Sequence, residues 1–260
     1  MQQLSFGELS KLFDDTDRIP GGYKSDCYIA TNTFIHSNSK ILLVGNVSTA
    51  INLSRAYNCQ FDIIDSSPKN CERFILWVER ENLGKNIHVF CEDITKVDFD
   101  ACYDVVILGN VLSWVKELPK AILNVVRALK NGGRLVAIPI YKTKKSDNSV
   151  IVNIEQFKKI PNKKTLEEWK QCFEPFPIVL RTYKSFIFSS FNEKHVNAYI
   201  DYIFNKSSKR DIDKFKEQYK NYIFDLCHNL ANMNFTILVY SKELINDEPE
   251  LFLTEDCQRE

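Results

Sequence analysis

A doubly wound α/β fold on a mostly parallel, seven-stranded sheet is what the hydrophobic pattern of this 260-residue chain predicts. Three observations carry that reading. From Lys40 onward, short apolar runs alternate with longer segments of helical period. The runs lack the polar alternation of half-exposed strands, which marks strands buried on both faces and therefore a parallel sheet with crossover helices. Five such β units follow one another, an order that favours a wound open sheet over a sandwich or a bundle.

Ser5 and Glu8 have the spacing of a capping box, with Leu9, Leu12 and Phe13 behind them, so a helix is expected there. Arg18-Ile-Pro-Gly-Gly22 breaks it, and Tyr23 to Phe34 reads as a second helix. Residues 1–39 are thus an N-terminal helical segment and residues 40–141 the sheet core. In the core, strands are expected at Ile41–Val44, Phe61–Ile64, Ile87–Cys91, Tyr103–Leu108 and Arg134–Ile138. Ala50, Leu53 and Tyr57 place one face of the first crossover helix on the sheet. Ser67 and Pro68 start the next helix, whose stripe is Cys71, Phe74, Ile75 and Val78 and whose end is Gly84. Leu118, Ile122, Val125, Val126 and Leu129 line another that stops at Asn131-Gly132-Gly133.

Beyond the core the pattern loosens. Residues 142–191 combine a polar loop, a helix behind the capping box of Thr165 and Glu168, and a strand from Ile178. Residues 192–234 form a helical cap, with Val196, Tyr199, Ile200 and Ile203 on one helix and Ile212, Phe215, Tyr219, Tyr222, Ile223 and Leu226 on a second. Phe235–Tyr240 is the last strand, within residues 235–245, and residues 246–260 are an acidic tail. The cap is therefore inserted between the last two strands of a single domain.

Hydrophobic residues at 44% and charged residues at 26% suit a globular protein and exclude disorder. Lys+Arg and Asp+Glu balance at 34 each, so no net positive field draws in nucleic acid, which is not the expected partner. Lysine clusters at Lys142, Lys144 and Lys145, at Lys158, Lys159, Lys163 and Lys164, and at Lys206, Lys209 and Arg210 read as solvated faces. The eight cysteines show no CxxC or Cys/His spacing, so neither a metal site nor a disulfide framework is expected. The opening MQQLSFGELSKLF is not a signal peptide, and no apolar run reaches the roughly 18 residues of a membrane span. A reduced cytoplasm and no membrane contact are the expectation.

In an open parallel sheet the ligand sits beyond the carboxyl ends of the strands. After the first strand come Gly45, Asn46, Val47, Ser48 and Thr49: a glycine for close backbone approach, then small polar residues opening a helix. After the second comes Asp65, twenty positions beyond Gly45, where a carboxylate can accept from two ribose hydroxyls, with Ser66 beside it. Glu92, Asp93 and Ile94 follow the third strand and offer an acceptor for an exocyclic amine and an apolar surface for a purine. Gly109, Asn110 and Val111 follow the fourth. The run G-x-G-x-x-G that exposes backbone N–H groups to a pyrophosphate is missing, and so is a G-x-x-x-x-G-K-[ST] loop, which argues against nicotinamide cofactors and phosphoryl transfer.

Over Lys40 to Tyr141 the chain resembles the class I S-adenosylmethionine-dependent methyltransferase family, Rossmann-like in fold. The carriers are ILLVGNVST, IID, CEDI, YDVVILGNVLSWV and LPKAILNVVRALKNGGRLVAI. The resemblance implies that Gly45, Asn46, Val47 and Ser48 hold the methionine portion of S-adenosylmethionine, Asp65 with Ser66 the ribose, and Asp93 with Ile94 the adenine. Gly109, Asn110 and Val111 would line the floor under the sulfonium. The loop is degenerate by the family's pattern: Gly45 is its one glycine, and Leu43 stands where an acid is common.

A sulfonium is already activated, so methyl transfer needs placement of the acceptor and removal of its proton more than a dedicated motif. Tyr23, His36 and Trp114 are weak substrate-side candidates, with His195 as a further histidine near a cleft mouth. His88 and Tyr28 read as structural. The expected function is transfer of a methyl group to oxygen or nitrogen of a small-molecule acceptor, with S-adenosylhomocysteine as product. The alternatives are a non-catalytic methyltransferase-like module, suggested by the loop, and an RNA or protein methyltransferase using the Lys142 to Lys164 strip.

Overall fold

The computed structural model describes residues 19–109, 111–113, 115–143, 164–188, 193–206, 213–230 and 233–243. The expected helix of Ser5 to Phe13, most of the polar loop before Lys164, and the acidic tail lie outside the described residues.

The sheet has the order β3-β2-β1-β4-β5 from one edge, all parallel, built from β1 (Lys40–Val44), β2 (Gln60–Ile64), β3 (Ile87–Phe90), β4 (Tyr103–Leu108) and β5 (Leu129–Ala137). The winding reverses between β1 and β4, which places the switch point above their carboxyl ends. Successive residues of β1 point to opposite faces. Ile41 and Leu43 join one core with Phe61, Ile63 and the helices α1 (Tyr23–Thr33), α2 (Ser48–Tyr57) and α3 (Pro68–Arg80). Leu42 and Val44 join the other, under α4 (Leu118–Ala128) and α5 (Leu166–Gln171). Trp169 is fully buried there and donates from Nε1 to Ile140 O at 3.3 Å.

Eight strands are described, one more than the sequence predicts. The extra strand is β6 (Ile140–Lys142), which continues the β5 side of the last strand, β8 (Met233–Lys242). Three residues behind Pro139 leave no periodic signal, and Pro139 has no N–H to keep β5 continuous. β7 (Ile178–Ile187) runs antiparallel along the other side of β8. Between β7 and β8 lie α6 (Glu193–Lys206) and α7 (Lys216–Leu230). Val196, Ile200, Ile203, Tyr219, Tyr222 and Ile223 form a core of their own, separate from the two that flank the sheet.

Helix signals held where a side chain could make the bond. Thr165 Oγ1 accepts from Glu168 N at 3.3 Å while Glu168 accepts from Thr165 N at 2.6 Å, a complete capping box on α5. Ser67 does stand at the N-cap of α3, but its side chain makes no capping bond. α3 ends at Arg80 ahead of Gly84, because Asn82 takes the left-handed turn with φ 57°.

The Asn131-Gly132-Gly133 run does not end a helix. α4 stops at Ala128 and β5 begins at once at Leu129, with the three residues bulging inside it: Tyr103 pairs with Leu129, and Val105 already pairs with Arg134. Gly132 has φ 73°, and a Cβ on Gly133 would stand 2.8 Å from Lys130 O and 3.2 Å from Asp104 O. Both neighbours are backbone and cannot yield cheaply. Gly133→Ala is therefore expected to lower stability by about 1–3 kcal/mol, read as a lower urea midpoint; an unchanged midpoint would show that the bulge has slack.

Candidate functional site

A cavity of about 640 Å³ opens where the carboxyl ends of β1, β2, β3 and β4 meet, within the range of roughly 300–1,000 Å³ usual for small-molecule sites. Its geometry starts at Gly45. With φ 81° this residue takes the left-handed turn off β1 and donates its N–H to Ile64 O at 2.9 Å. A Cβ at Gly45 would overlap Cγ1 of Val111, so only glycine lets the β1 tip close against the segment after β4. Gly109 sits behind this contact, where a Cβ would meet Val44 O, Ile19 Cγ2 and Asn46 Nδ2 at 3.4 to 3.6 Å.

Asn46 lines the cavity yet is only 4% exposed. Its Oδ1 accepts from Thr49 N at 3.1 Å and from Ser48 Oγ at 3.4 Å, and its Nδ2 donates to Thr49 Oγ1 at 3.3 Å. Asn46 thereby satisfies a free N–H at the start of α2, where Val47, the N-cap residue, has no acceptor to offer. Thr49 Oγ1 in turn donates to Asp26 Oδ1 at 2.9 Å, and Asn52 Nδ2 donates to Asp26 Oδ2 at 2.7 Å. Asp26 is 2% exposed, so the loop is tied through two hydroxyl and amide groups to a buried carboxylate on α1.

At the β2 tip, Asp65 accepts from Ser67 N at 2.8 Å and from Asn70 Nδ2 at 3.2 Å on both oxygens. These bonds fix the plane of the carboxylate, and its two oxygens have about four acceptor sites between them. Ser66, Ser67 and Asn70 continue the wall. At the β3 tip, Asp93 Oδ1 accepts from Thr95 N at 2.9 Å and Thr95 Oγ1 at 2.8 Å. The backbone bond from Thr95, then its hydroxyl, hold the Asp93 carboxyl below its ordinary range. Ile94 reaches from the same loop into the wall and the core, and its carbonyl accepts from Asn124 Nδ2 at 2.9 Å. Val111, Val115, Lys116 and Glu117 close the side after β4.

Gly45, Asn46, Asp65, Ser66, Asp93, Ile94 and Val111 thus meet around one cavity, with Gly109 behind it. Four other candidates stand elsewhere. Val47 is fully buried in the core under α2, and Ser48 turns its hydroxyl to Asn46; neither lines the cavity. His36 precedes β1, at the opposite end of a five-residue strand and so roughly 16 Å from the tips, and its Nδ1 accepts from Asn38 N. Tyr23 is 70% exposed, with Cys27 and Tyr57 as neighbours, and is not part of the wall. Asn110 and Trp114 lie outside the described residues. His88 serves structure: its Nδ1 is 3.3 Å from Asp62, which also accepts from Tyr103 Oη at 2.9 Å. No residue of the cap reaches the wall among those described, and no group of three or more metal-ligating side chains gathers among them.

Residues 43–137 match the family model of the methyltransferase domain. Over those residues the chain is similar to a methyltransferase domain. Solved structures agree at the level of fold. The MccD protein superposes with a TM-score of 0.71 at 17% identity, covering 87% of this chain and 100% of that one. Phosphoethanolamine N-methyltransferase 2 of Haemonchus contortus, in complex with phosphomonomethylethanolamine and S-adenosylhomocysteine, gives 0.67 at 15% identity; 92% of this chain covers 57% of that chain. The [4+2]-cyclase SpnF gives 0.63 at 15%, over 85% and 80%. No curated protein sequence matches. A cyclase among the structural neighbours shows that this fold does not by itself fix the reaction.

The depressed Asp93 carboxyl has a consequence for stability. Its folded pKa lies below the unfolded value of about 3.9, so the ionised form contributes stability above that value and loses it as pH falls through the lower, folded one. Asp93→Asn should therefore shrink the fall in urea midpoint between about pH 5 and pH 2. Identical acid limbs for the two proteins would show that Thr95 does not hold the charged form.

Proposed function

We propose that this chain is an S-adenosylmethionine-dependent methyltransferase acting on oxygen or nitrogen of a small molecule. The observation that carries the reading is the pair of preset carboxylates, Asp65 and Asp93, on adjacent strand tips facing one cavity beside the Gly45–Val111 contact. A ribose diol needs paired acceptors on a fixed carboxylate, an adenine amine needs one acceptor beside an apolar surface, and an amino-acid tail needs backbone approach. Asp65, Asp93 with Ile94, and Gly45 with Asn46 meet those three needs in that order along the wall. No phosphate cradle is required, in keeping with the single glycine. The cofactor supplies an electrophilic methyl on a sulfonium. The protein's part is to hold the ribose at Asp65, present the tail to the β1 tip, and keep water from the floor formed by Val111 and Gly109.

A small-molecule acceptor is supported by the volume of the cavity, about 640 Å³, and by the small molecule bound in the Haemonchus enzyme. The reading takes the whole chain as one domain with residues 192–234 as its cap, and a cytoplasmic setting accords with the free thiols at Cys27, Cys59, Cys71, Cys91, Cys102, Cys172 and Cys227. No helix among the described residues is long and apolar enough to cross a membrane.

Calorimetry with S-adenosylmethionine and S-adenosylhomocysteine tests the proposal. Asp65→Ala should weaken binding roughly 30- to 150-fold, since two hydrogen bonds worth about 1–1.5 kcal/mol each are lost. No binding to the wild-type chain at millimolar ligand would sink the enzyme reading, and equal affinity of the variant would show the ribose lies elsewhere.

A further inference from the structure

Two thiols that the proposed reaction does not use stand together behind the cavity wall. Cys71, one turn into α3, is buried; its Sγ donates to Asp65 O at 3.2 Å and lies 3.9 Å from Phe90 O. The residue after Phe90 is Cys91, exposed and free, so the Cys71 thiol lies against the carbonyl of the peptide bond that joins Phe90 to Cys91. The segments that bear them are already joined, since Asp65 N donates to Phe90 O at 3.2 Å. The pair is flanked by the groups that shape the wall: Asp65 and Asn70 on the Cys71 side, Glu92 and Asp93 directly after Cys91.

We propose that Cys71 and Cys91 are a redox-active dithiol that a peroxide closes into a disulfide, and that this cross-link weakens ligand binding in the adjoining cavity. The second half rests on the cofactor reading above. The exposed Cys91 thiolate attacks one oxygen of hydrogen peroxide; the O–O bond breaks, the other oxygen leaves as water after taking a proton, and Cys91 becomes a sulfenic acid. The Cys71 sulfur then attacks the Cys91 sulfur, gives up its proton, and the sulfenic oxygen departs as a second water. Two thiols have lost two electrons and two protons, and one peroxide has been reduced to two waters.

The environment sets the order of these steps. Burial first, then the contact with Cys91, pushes the Cys71 thiol up to about 12, so it keeps its proton at neutral pH and acts as the resolving partner. A thiol of that kind is also a poor leaving group, so the closed disulfide resists exchange. Closing the bond draws the sulfurs to about 2.05 Å, pulls the Glu92–Asp93 wall toward Asp65, and removes the thiol donor from Asp65 O.

Reduced full-length protein treated with hydrogen peroxide, alkylated and digested should yield a cross-linked peptide pair joining Cys71 to Cys91. It should be absent from Cys71→Ser and Cys91→Ser and should disappear with dithiothreitol. Recovery of Cys71 fully alkylated, with Cys91 alkylated or carried to sulfinic acid, overturns the proposal. The dissociation constant for S-adenosylhomocysteine should rise about 5-fold or more on oxidation and return on reduction, with no such change in Cys91→Ser. Equal affinity in the two states overturns the regulatory half. Absence of binding in both states overturns the cofactor reading and the regulatory half with it, while the cross-link is scored on its own.

Discussion

The buried carboxylate of Asp26 is the contact on which the geometry of the β1 tip depends. A carboxylate that is 2% exposed is tolerable only with donors around it, and α2 presents two from one face, Thr49 and Asn52, three residues apart. That bond set fixes α1 against α2. It also fixes what precedes α1: Gly21 and Gly22, with φ 82° and 51°, turn the chain so that Ile19 stands over Gly109 in the cavity. The N-terminal segment therefore contributes a wall residue through a helix docked elsewhere.

The same network explains how a loop with one glycine still forms the tip. The left-handed turn and the approach to Val111 are needed at Gly45 alone. At the next positions, Asn46 supplies the cap acceptor and Val47 supplies core volume, so glycine there would forfeit both. The loop is a different solution to the same turn, held by side-chain bonds rather than left to backbone freedom.

Much of this was legible from the chain because it repeats. Strands β1 to β4 and helices α2 and α4 come from hydrophobic period, and Asp65, Asp93 and Gly109 come from position just after a strand. What was not legible depends on contacts distant in sequence. Nothing local marks Asp26 as the partner of Thr49, Asn70 as the support of Asp65, or Ile19 as a wall residue. Val47 and Ser48 enter the site through the family resemblance, but a helix start turns successive side chains to different sides, and of residues 46–48 only Asn46 lines the cavity. His36 stands away from the cavity for the converse reason: a residue before a strand lies at the far end of the sheet from one after it. The Gly132-Gly133 pair matches a helix stop as well as it matches a bulge, and the Cβ clash with the Asp104 carbonyl that decides the matter is a β4–β5 contact.

The division between what repeats and what does not also separates the two halves of a methyltransferase site. The cofactor is constant, and the groups that meet it stand on strand tips whose spacing is set by the sheet. The acceptor varies, and nothing about transfer from a sulfonium demands a fixed nucleophile or base, so selection on the acceptor side acts through shape. Here the elements added to the sheet, α6 and α7, have their own apolar core and contribute nothing to the described wall. Their apolar stripes pack against one another, while Leu230 at the end of α7 reaches the core that holds β1. The contacts that hold Asp26, Gly45 and Asp65 come instead from the sheet and the helices that flank it, so the β1 and β2 tips owe their geometry to α1, α2 and α3.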